Sequence, residues 1–303
     1  MKKRLVTALG LLLALSWLPP QSVYADETGG RPVAENLELR TYSGVTVGGT
    51  LSGFDPDGAP LRFEITTGPV KGEIELCEDG SFLYTPQENK RGRDYFGYKA
   101  IDPEGNLSQE ATVIIQILRQ KHAFRYADMS GRSDEYAATA LSELGLFTGR
   151  QICGQYCFEP DSQVTRGEFI SMCMMLTGKP LLTGICRTGY EDDEAIPAWQ
   201  KAYARTAALQ GVYNGAKTAA GSVFLGDEAL SYAEAVLLLD SALHLENVSY
   251  LDGFEEMDPG LAQACANLNA NGVIRERSTA GRLLNRSDAA RMLTAAADLL
   301  DKR

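Results

Sequence analysis

The chain has 303 residues, of which 44% are hydrophobic and 23% charged, and its formal net charge at pH 7 is −11. This length is enough for two domains that each have a core. The net negative charge excludes nucleic acid and anionic membrane surfaces as favoured partners, so an anionic ligand would need local cationic side chains.

The N-terminus has the layout of a secretory signal peptide. Lys2, Lys3 and Arg4 precede an apolar run from Leu5 to Leu18, and small residues follow where a signal peptidase reads them. The apolar run is roughly 14 residues, short of the ~20 needed to cross a bilayer. We therefore expect residues 1–25 to be cleaved and the mature protein to be exported without a membrane span; an uncleaved N-terminal anchor is the alternative.

Residues 31–118 show the alternation of a half-buried sheet. Phe63 and Ile65 alternate with polar neighbours, and so do Val113 and Ile115. Turn signals rich in Asp, Pro and Gly separate these runs. About seven short strands in a segment of this length predict an antiparallel β-sandwich.

The same segment resembles the cadherin-like, immunoglobulin-type tandem-repeat domains of bacterial surface proteins. The matching pieces are residues 31–36, the Asp-Pro-Asp-Gly turn at 55–58, residues 79–86, residues 94–98 and the Asp-Pro-Glu-Gly turn at 102–105. Some relatives bind calcium through acids at strand ends, which implies Glu35, Asp55, Asp57 and Asp102 as candidate ligands. The alternative is that these residues only form turns, because Asp caps such a turn and Pro and Gly supply its dihedral angles.

The chain contains six cysteines, which an exported protein can use in disulfides. Cys153 and Cys157 are close enough in sequence for a local bridge, whereas Cys173 lies in an apolar run and is typical of a buried thiol. The C-x3-C spacing without a partner pair or a nearby histidine does not predict a zinc site. The disulfide pairing stays open.

Beyond residue 123 the chain repeats itself three times, with a period of about 60 residues that indicates one supersecondary unit used repeatedly. The units span residues 124–182, 187–246 and 250–303. Each runs from an aromatic and acidic start through a helix rich in Ala and Leu, then a turn flanked by glycine, to a helix-capping motif.

Each unit ends in a motif that caps the N-terminus of a helix, with a capping side chain and an acid three residues later. The pairs are Thr165 and Glu168, Ser231 and Glu234, and Asn285 and Asp288. Arg166 and Arg286 follow two of the caps, and Tyr232 follows the other. Because free amides and the helix dipole favour an anion at this place, we expect these arginines to bind a carboxylate. The alternative is that they only decorate exposed helix starts.

The units resemble S-layer homology modules, whose pattern opens with Phe-x-Asp, contains Phe-x-Pro and closes on Thr-Arg-Ala-Glu. The first unit matches nearly throughout, with Gly167 in place of alanine. The second has Tyr232 in place of arginine. The third lacks Phe-x-Pro and has Asn285 and Asp288 in place of threonine and glutamate.

This resemblance implies a pseudo-threefold helical prism whose grooves bind secondary cell-wall polysaccharide, often through the carboxylate of a pyruvyl ketal. Arg166 and Arg286 would hold that carboxylate, and Thr165 and Glu168 would fix the helix start. Three further acids would be structural residues at which helices start, namely Asp128, Asp192 and Asp258.

The expected architecture is multidomain, all-β followed by all-α: an antiparallel β-sandwich and then the helical prism. We expect a secreted, non-enzymatic protein that is anchored to the cell wall without a cofactor, calcium excepted. An enzyme is not expected, because no nucleophile–histidine pair and no placed pair of carboxylates is evident. The alternative function is a surface adhesin or assembly subunit whose repeats bind protein rather than glycan.

Overall fold

The computed structural model describes residues 30–122, 125–249, 257–275 and 281–301. The expected signal peptide lies outside the described residues, and so does the start of the third repeat up to residue 256. Within the described ranges, no helix has both the length and the hydropathy needed to cross a membrane.

The N-terminal region is a β-sandwich. Its strands are β1 (Val33–Ala34), β2 (Leu37–Tyr42), β3 (Val47–Thr50), β4 (Gly53–Phe54), β5 (Arg62–Thr67), β6 (Gly72–Leu76), β7 (Ser81–Pro86), β8 (Gly92–Ile101) and β9 (Ala111–Leu118). One sheet has the order β2-β9-β8-β5, the other has the order β3-β7-β6, and β1 pairs with β4.

The sandwich core follows from the alternation in the sequence. Every second residue of β9 is buried, which confirms the inward positions of Val113 and Ile115. Phe82 from one sheet meets Phe96 from the other, edge to face, with ring centroids 5.2 Å apart. Such a pair adds to the burial of apolar area that holds two sheets together.

The expectation of an antiparallel sandwich is wrong for one strand pair. β2 runs parallel to β9, from Leu37 opposite Val113 to Tyr42 opposite Leu118, so this sheet is mixed. The alternation of apolar and polar residues indicates which face of a strand is buried. This alternation is the same whether the neighbouring strand is parallel or antiparallel. Strand direction was therefore outside what the pattern predicts.

The C-terminal region is mainly helical. Its helices are α1 (Glu135–Glu143), α2 (Arg166–Leu176), α3 (Ala198–Leu209), α4 (Tyr232–Leu243), α5 (Pro259–Ala270) and α6 (Arg286–Asp301). They share one core cluster of buried Ala, Leu, Ile, Val, Met and aromatic residues.

This region is not all-α, contrary to the expectation. The first repeat contains a hairpin of β10 (Arg150–Ile152) and β11 (Gln155–Cys157), and the second contains one of β12 (Ala216–Lys217) and β13 (Ser222–Val223). Cys153 and Gly154 form the first hairpin's two-residue turn and both have positive φ, as tight hairpins require.

Three buried residues, one from each repeat, join the repeats in a closed ring of backbone hydrogen bonds. The Val164 amide donates to the Leu284 carbonyl at 3.0 Å, and the Leu284 amide donates to the Leu230 carbonyl at 2.7 Å. The Leu230 amide completes the ring by donating to the Val164 carbonyl at 2.9 Å. We call this ring the repeat triangle; it places the starts of α2, α4 and α6 side by side.

The sandwich is docked on the helical region through backbone and side-chain bonds. The Tyr136 amide donates to the Thr46 carbonyl at 3.1 Å, and the Thr46 amide donates to the buried Glu135 carboxylate, also at 3.1 Å. The Gly48 amide donates to the Ser133 carbonyl at 2.9 Å. Because these bonds involve main-chain atoms of both regions, they fix how the two regions are oriented.

Candidate functional site

The first two helix starts have the expected caps. The Glu168 amide donates to the Thr165 hydroxyl at 3.3 Å, and the Thr165 amide donates back to the Glu168 carboxylate at 2.9 Å. Ser231 and Glu234 form the same reciprocal arrangement at the start of α4. The predicted capping boxes are therefore confirmed.

The third cap is only half formed. The Asp288 amide donates to the Asn285 side chain at 2.7 Å. The Asp288 carboxylate accepts instead from Arg282 at 2.7 Å and also from Arg291. The Asp288 carboxylate therefore bonds two arginines, whereas Glu168 and Glu234 bond the amides of their own caps.

The helix starts do not have the free amides that an anion site was expected to use. The first amides of α2, α4 and α6 each donate to a carbonyl of another repeat, in the pairs Arg166 to Glu228 (2.9 Å), Tyr232 to Arg282 (2.7 Å) and Arg286 to Ser162 (2.9 Å). The repeat triangle brings these carbonyls to the helix starts. Because the acceptors belong to other repeats, the sequence of one helix start did not indicate them.

Arg166 is an inter-repeat clamp. Its Nη2 donates to Glu234 at 2.9 Å, and its Nη1 donates to the Leu225 carbonyl at 2.7 Å and to Glu228 at 3.3 Å. Only 8% of its side chain is exposed. Partial burial raises the pKa of Glu234, but hydrogen bonds from Arg166 and Ser231 outweigh this effect and hold it below its ordinary value.

Arg286 closes the interface between the third and first repeats in a similar way. Its Nη1 donates to Glu159 at 2.9 Å and to the Phe158 carbonyl at 3.1 Å, and its guanidinium lies 5.0 Å from the centroid of the Phe147 ring. The hydrogen bond from Arg286 lowers the pKa of Glu159 below its ordinary value. The two predicted arginines therefore lie in equivalent places but at different interfaces, and each already binds a carboxylate of this chain.

The second interface has a cation that sequence reasoning missed. The guanidinium of Arg282 lies 4.3 Å from the centroid of the Tyr232 ring and donates to Asp288. Tyr232 follows its cap as Arg166 and Arg286 follow theirs. At this interface the third repeat therefore supplies the positive charge, through Arg282. Arg282 lies three residues before Asn285, the cap of α6, and Glu228 lies three residues before Ser231, the cap of α4. Comparing these positions among the repeats would have found it.

Asp128 and Asp192 do not start helices, so that prediction is wrong. The carboxylate of Asp128 accepts the amides of Phe158 and Glu159 at 2.8 and 2.7 Å, and Asp192 accepts the two equivalent amides of the second repeat at 2.7 and 2.8 Å. Each aspartate ties the start of its repeat to the loop before the capped helix. Asp258 does cap α5, as expected, by accepting two amides of its first turn.

The acids proposed for calcium do not form a shared site. Asp55 accepts the Asp57 amide at 2.8 Å, and Asp102 accepts from the Asn106 amide and side chain at 2.7 Å. Glu35 accepts from the Ser52 hydroxyl. In the part of the chain that the structure describes, no three acidic, histidine or cysteine side chains converge as metal ligands. Asp55 and Asp102 therefore stabilise turns, which is the alternative stated for them, and Glu35 is bonded to Ser52.

All six cysteines lie in the described ranges and are free thiols. The suggested Cys153–Cys157 bridge is not formed. Cys173 is completely buried in the helical core, as its apolar setting predicted, and burial raises the pKa of its thiol.

Comparison with known proteins identifies the sandwich. Residues 30–119 match the family model of the bacterial cadherin-like domain. These residues form a bacterial cadherin-like domain. The prediction for this part of the chain is confirmed, whereas the resemblance of the repeats to S-layer homology modules remains a prediction.

The chain resembles the two solved structures described next over about 30% of its length, and it spans less than half of either of them. Human protocadherin-24 EC1-2 is 17% identical, with a TM-score of 0.24, over 29% of this chain and 44% of that one. An endo-fucoidan hydrolase of glycoside hydrolase family 107 is 21% identical, with a TM-score of 0.25, over 30% of this chain and 14% of the hydrolase. At these scores the likeness carries no inference about activity. No curated protein matches the chain.

Proposed function

We propose that this is an exported, non-enzymatic surface protein that is anchored non-covalently to the cell wall by its C-terminal repeats. In this proposal the repeats form the pseudo-threefold prism of S-layer homology modules and bind secondary cell-wall polysaccharide through a pyruvyl carboxylate. The repeat triangle is the observation that carries the proposal. It relates three capped helix starts by equivalent hydrogen bonds, which is the arrangement expected of three modules around one axis.

The proposal requires a ligand carboxylate to reach the arginines at the helix starts. At Arg166 the ligand would replace Glu228, whose side chain is 59% exposed and whose hydrogen bond of 3.3 Å is the longest of the three. Glu234 and the Leu225 carbonyl would keep the guanidinium in place. At Arg286 the ligand would replace Glu159. Because more than half of the Glu228 side chain is exposed, its ion pair with Arg166 is worth little and the exchange there has a small energetic cost. The pair of Arg286 with Glu159 is less exposed, so the exchange at Arg286 costs more.

In the second groove we propose that Arg282, rather than residue 232, binds the ligand carboxylate. The side chain of Arg282 is 38% exposed, compared with 8% for Arg166 and 15% for Arg286. Its guanidinium is held by Asp288 and by the Tyr232 ring. A cation that is already oriented loses less conformational entropy when it binds a carboxylate.

One observation favours a second candidate, an adhesin or assembly subunit whose repeats bind protein. Arg166 and Arg286 already bind the carboxylates of Glu234 and Glu159, so the anion sites are filled from within the chain. A chain that had lost glycan binding would keep these pairs because they join its repeats.

Sedimentation with purified cell walls separates the two candidates. The mature protein is expected to pellet with sacculi that retain their polysaccharide and to stay in the supernatant when the polymer has been stripped. Arg282→Gln tests the second groove, and Arg205→Gln is the matched control because Arg205 is exposed on α3 and is not at a helix start. Equal pelleting with intact and stripped walls would contradict the anchor and favour the protein-binding candidate.

A further inference from the structure

A cavity of about 690 Å³ lies between the cadherin-like domain and the helical region. Strands β2, β3, β8 and β9 line one side, and α1, α6 and the turn after α5 line the other. Ligand sites in proteins are typically ~300–1,000 Å³ and are frequent at interfaces between domains. The size and the position of this cavity are those of a binding site.

The walls of this cavity are fixed relative to each other. Arg40 on the sandwich and Asp298 on α6 both line it and form an ion pair across it at 3.0 Å. The Gly48 amide, which donates to Ser133, lies in the same lining. The cavity is therefore formed before any ligand arrives, which reduces the entropy lost on binding.

Two arginines that have no acid partner among the described residues line the cavity, one from each side. Arg93 comes from β8 and Arg275 from the turn after α5, and among the described residues neither side chain has an ion pair or hydrogen bond. Of the acids that line the cavity, Asp298 is paired with Arg40, and Asp134 and Asp288 are paired with arginines. Glu38 is the unpaired acid of the lining within those residues. In a chain with a net charge of −11, two arginines that have no partner among the described residues favour an anion in this cavity.

A third arginine is held in place inside the cavity. Arg291 on α6 donates to the Ser287 hydroxyl at 3.1 Å and to the Asp288 carboxylate. Asp288 is 2% exposed and Asp134, 4.0 Å from Arg291, is 3% exposed. Since 52% of the Arg291 side chain is still exposed, it has donors to offer a ligand while buried acids orient it.

We propose that this cavity binds an anionic ligand that carries carboxylate or phosphate groups. Arg93 contacts the ligand from the cadherin-like domain, Arg275 contacts it from the helical region, and Arg291 contacts it from α6. Glu38 limits the affinity by repelling the anion. The cadherin-like domain thereby contributes half of a binding site. The cavity shares Tyr232 and Asp288 with the second groove proposed above, whereas Arg93 and Arg275 do not take part in that groove.

Isothermal titration calorimetry of the mature protein tests this proposal with two probes. Short oligogalacturonates supply carboxylates, and short glycerol-phosphate oligomers supply phosphates. We expect at least one probe to bind, and the probe that binds more tightly identifies the source of the anion. Arg93→Gln and Arg275→Gln should each weaken binding about tenfold, because each removes a charge-assisted hydrogen bond to the ligand. Glu38→Gln should strengthen it.

Matched controls separate a built site from general charge attraction. Arg62→Gln on β5 and Arg205→Gln on α3 remove the same charge from exposed positions outside the cavity, and they should leave the affinity unchanged. Thermal unfolding of each variant verifies the fold. The proposal is overturned if neither probe binds, if the cavity variants bind as well as the wild type, or if the controls lose as much affinity as the cavity variants. None of these outcomes depends on wall binding.

Discussion

Replacing Arg166 with methionine tests its role as a clamp between the first and second repeats. The substitution removes bonds to Glu234, to Glu228 and to the Leu225 carbonyl and keeps most of the apolar stem. Bonds to charged groups are worth about 1.5–3 kcal/mol each. Water can replace the arginine at the two glutamates, which are 42% and 59% exposed, and this reduces the loss.

We therefore expect Arg166→Met to lower the free energy of unfolding by about 2 kcal/mol. For a region of this size that corresponds to a decrease in melting temperature of about 4–8 °C. Urea unfolding at neutral pH measures the change, with Arg205→Met as a control expected within about 0.5 kcal/mol of the wild type. A loss equal to that of the control would refute the role of Arg166 as a clamp.

Three further predictions concern packing, docking and pH. A Cβ at Gly167 would lie 2.5 Å from Oε1 of buried Gln200, so Gly167→Ala should lower the free energy of unfolding in urea by about 1–3 kcal/mol. In a Gln200→Ala background most of that loss should disappear. An equal loss in both backgrounds would show that the two residues do not compete for space. A Cβ at Gly48 would lie 2.6 Å from Cβ of Ser133, so Gly48→Ala should loosen the contact between the sandwich and the helical region. The radius of gyration measured by small-angle scattering should then increase. An unchanged scattering curve would contradict this. The pKa of Glu234 in the folded state is below its ordinary value of 4.5, so this group stabilises the fold above pH 4.5, and that contribution is lost as the pH falls through the lowered pKa. Glu234→Gln should therefore weaken the dependence of the free energy of unfolding on pH in the acid range. An unchanged dependence would contradict the ion pair of Glu234 with Arg166.

Local signals in the sequence predicted local structure well. The capping boxes at Thr165 and Ser231 involve residues only three positions apart, and the alternation along β9 is read within one strand. The sequence motifs of the strands and turns indicated the family of the sandwich. These features depend on neighbouring residues, so a single sequence is sufficient to show them.

The partners of the arginines depend on contacts between distant residues. Arg166 reaches Glu234 across 68 positions, and Arg286 reaches Phe158 across 128. The sequence showed that a cation follows each of these two caps, but not that the neighbouring repeat supplies its carboxylate. Arg282 was missed for the same reason, because it acts on Tyr232 and Asp288 from the other side of an interface.

In the proposed function, the arginines at the helix starts take a ligand carboxylate in exchange for one from the chain itself. Calorimetry with purified wall polysaccharide tests it most directly, with the mature wild type, Glu228→Gln and Glu246→Gln as the exposed control. Removing Glu228 frees one donor of Arg166, so Glu228→Gln should bind pyruvylated polymer more tightly, by up to about fivefold, and depyruvylated polymer no better than the wild type. A wild type that does not bind the polymer, or a gain in affinity that Glu246→Gln shares, would contradict the exchange of carboxylates at Arg166.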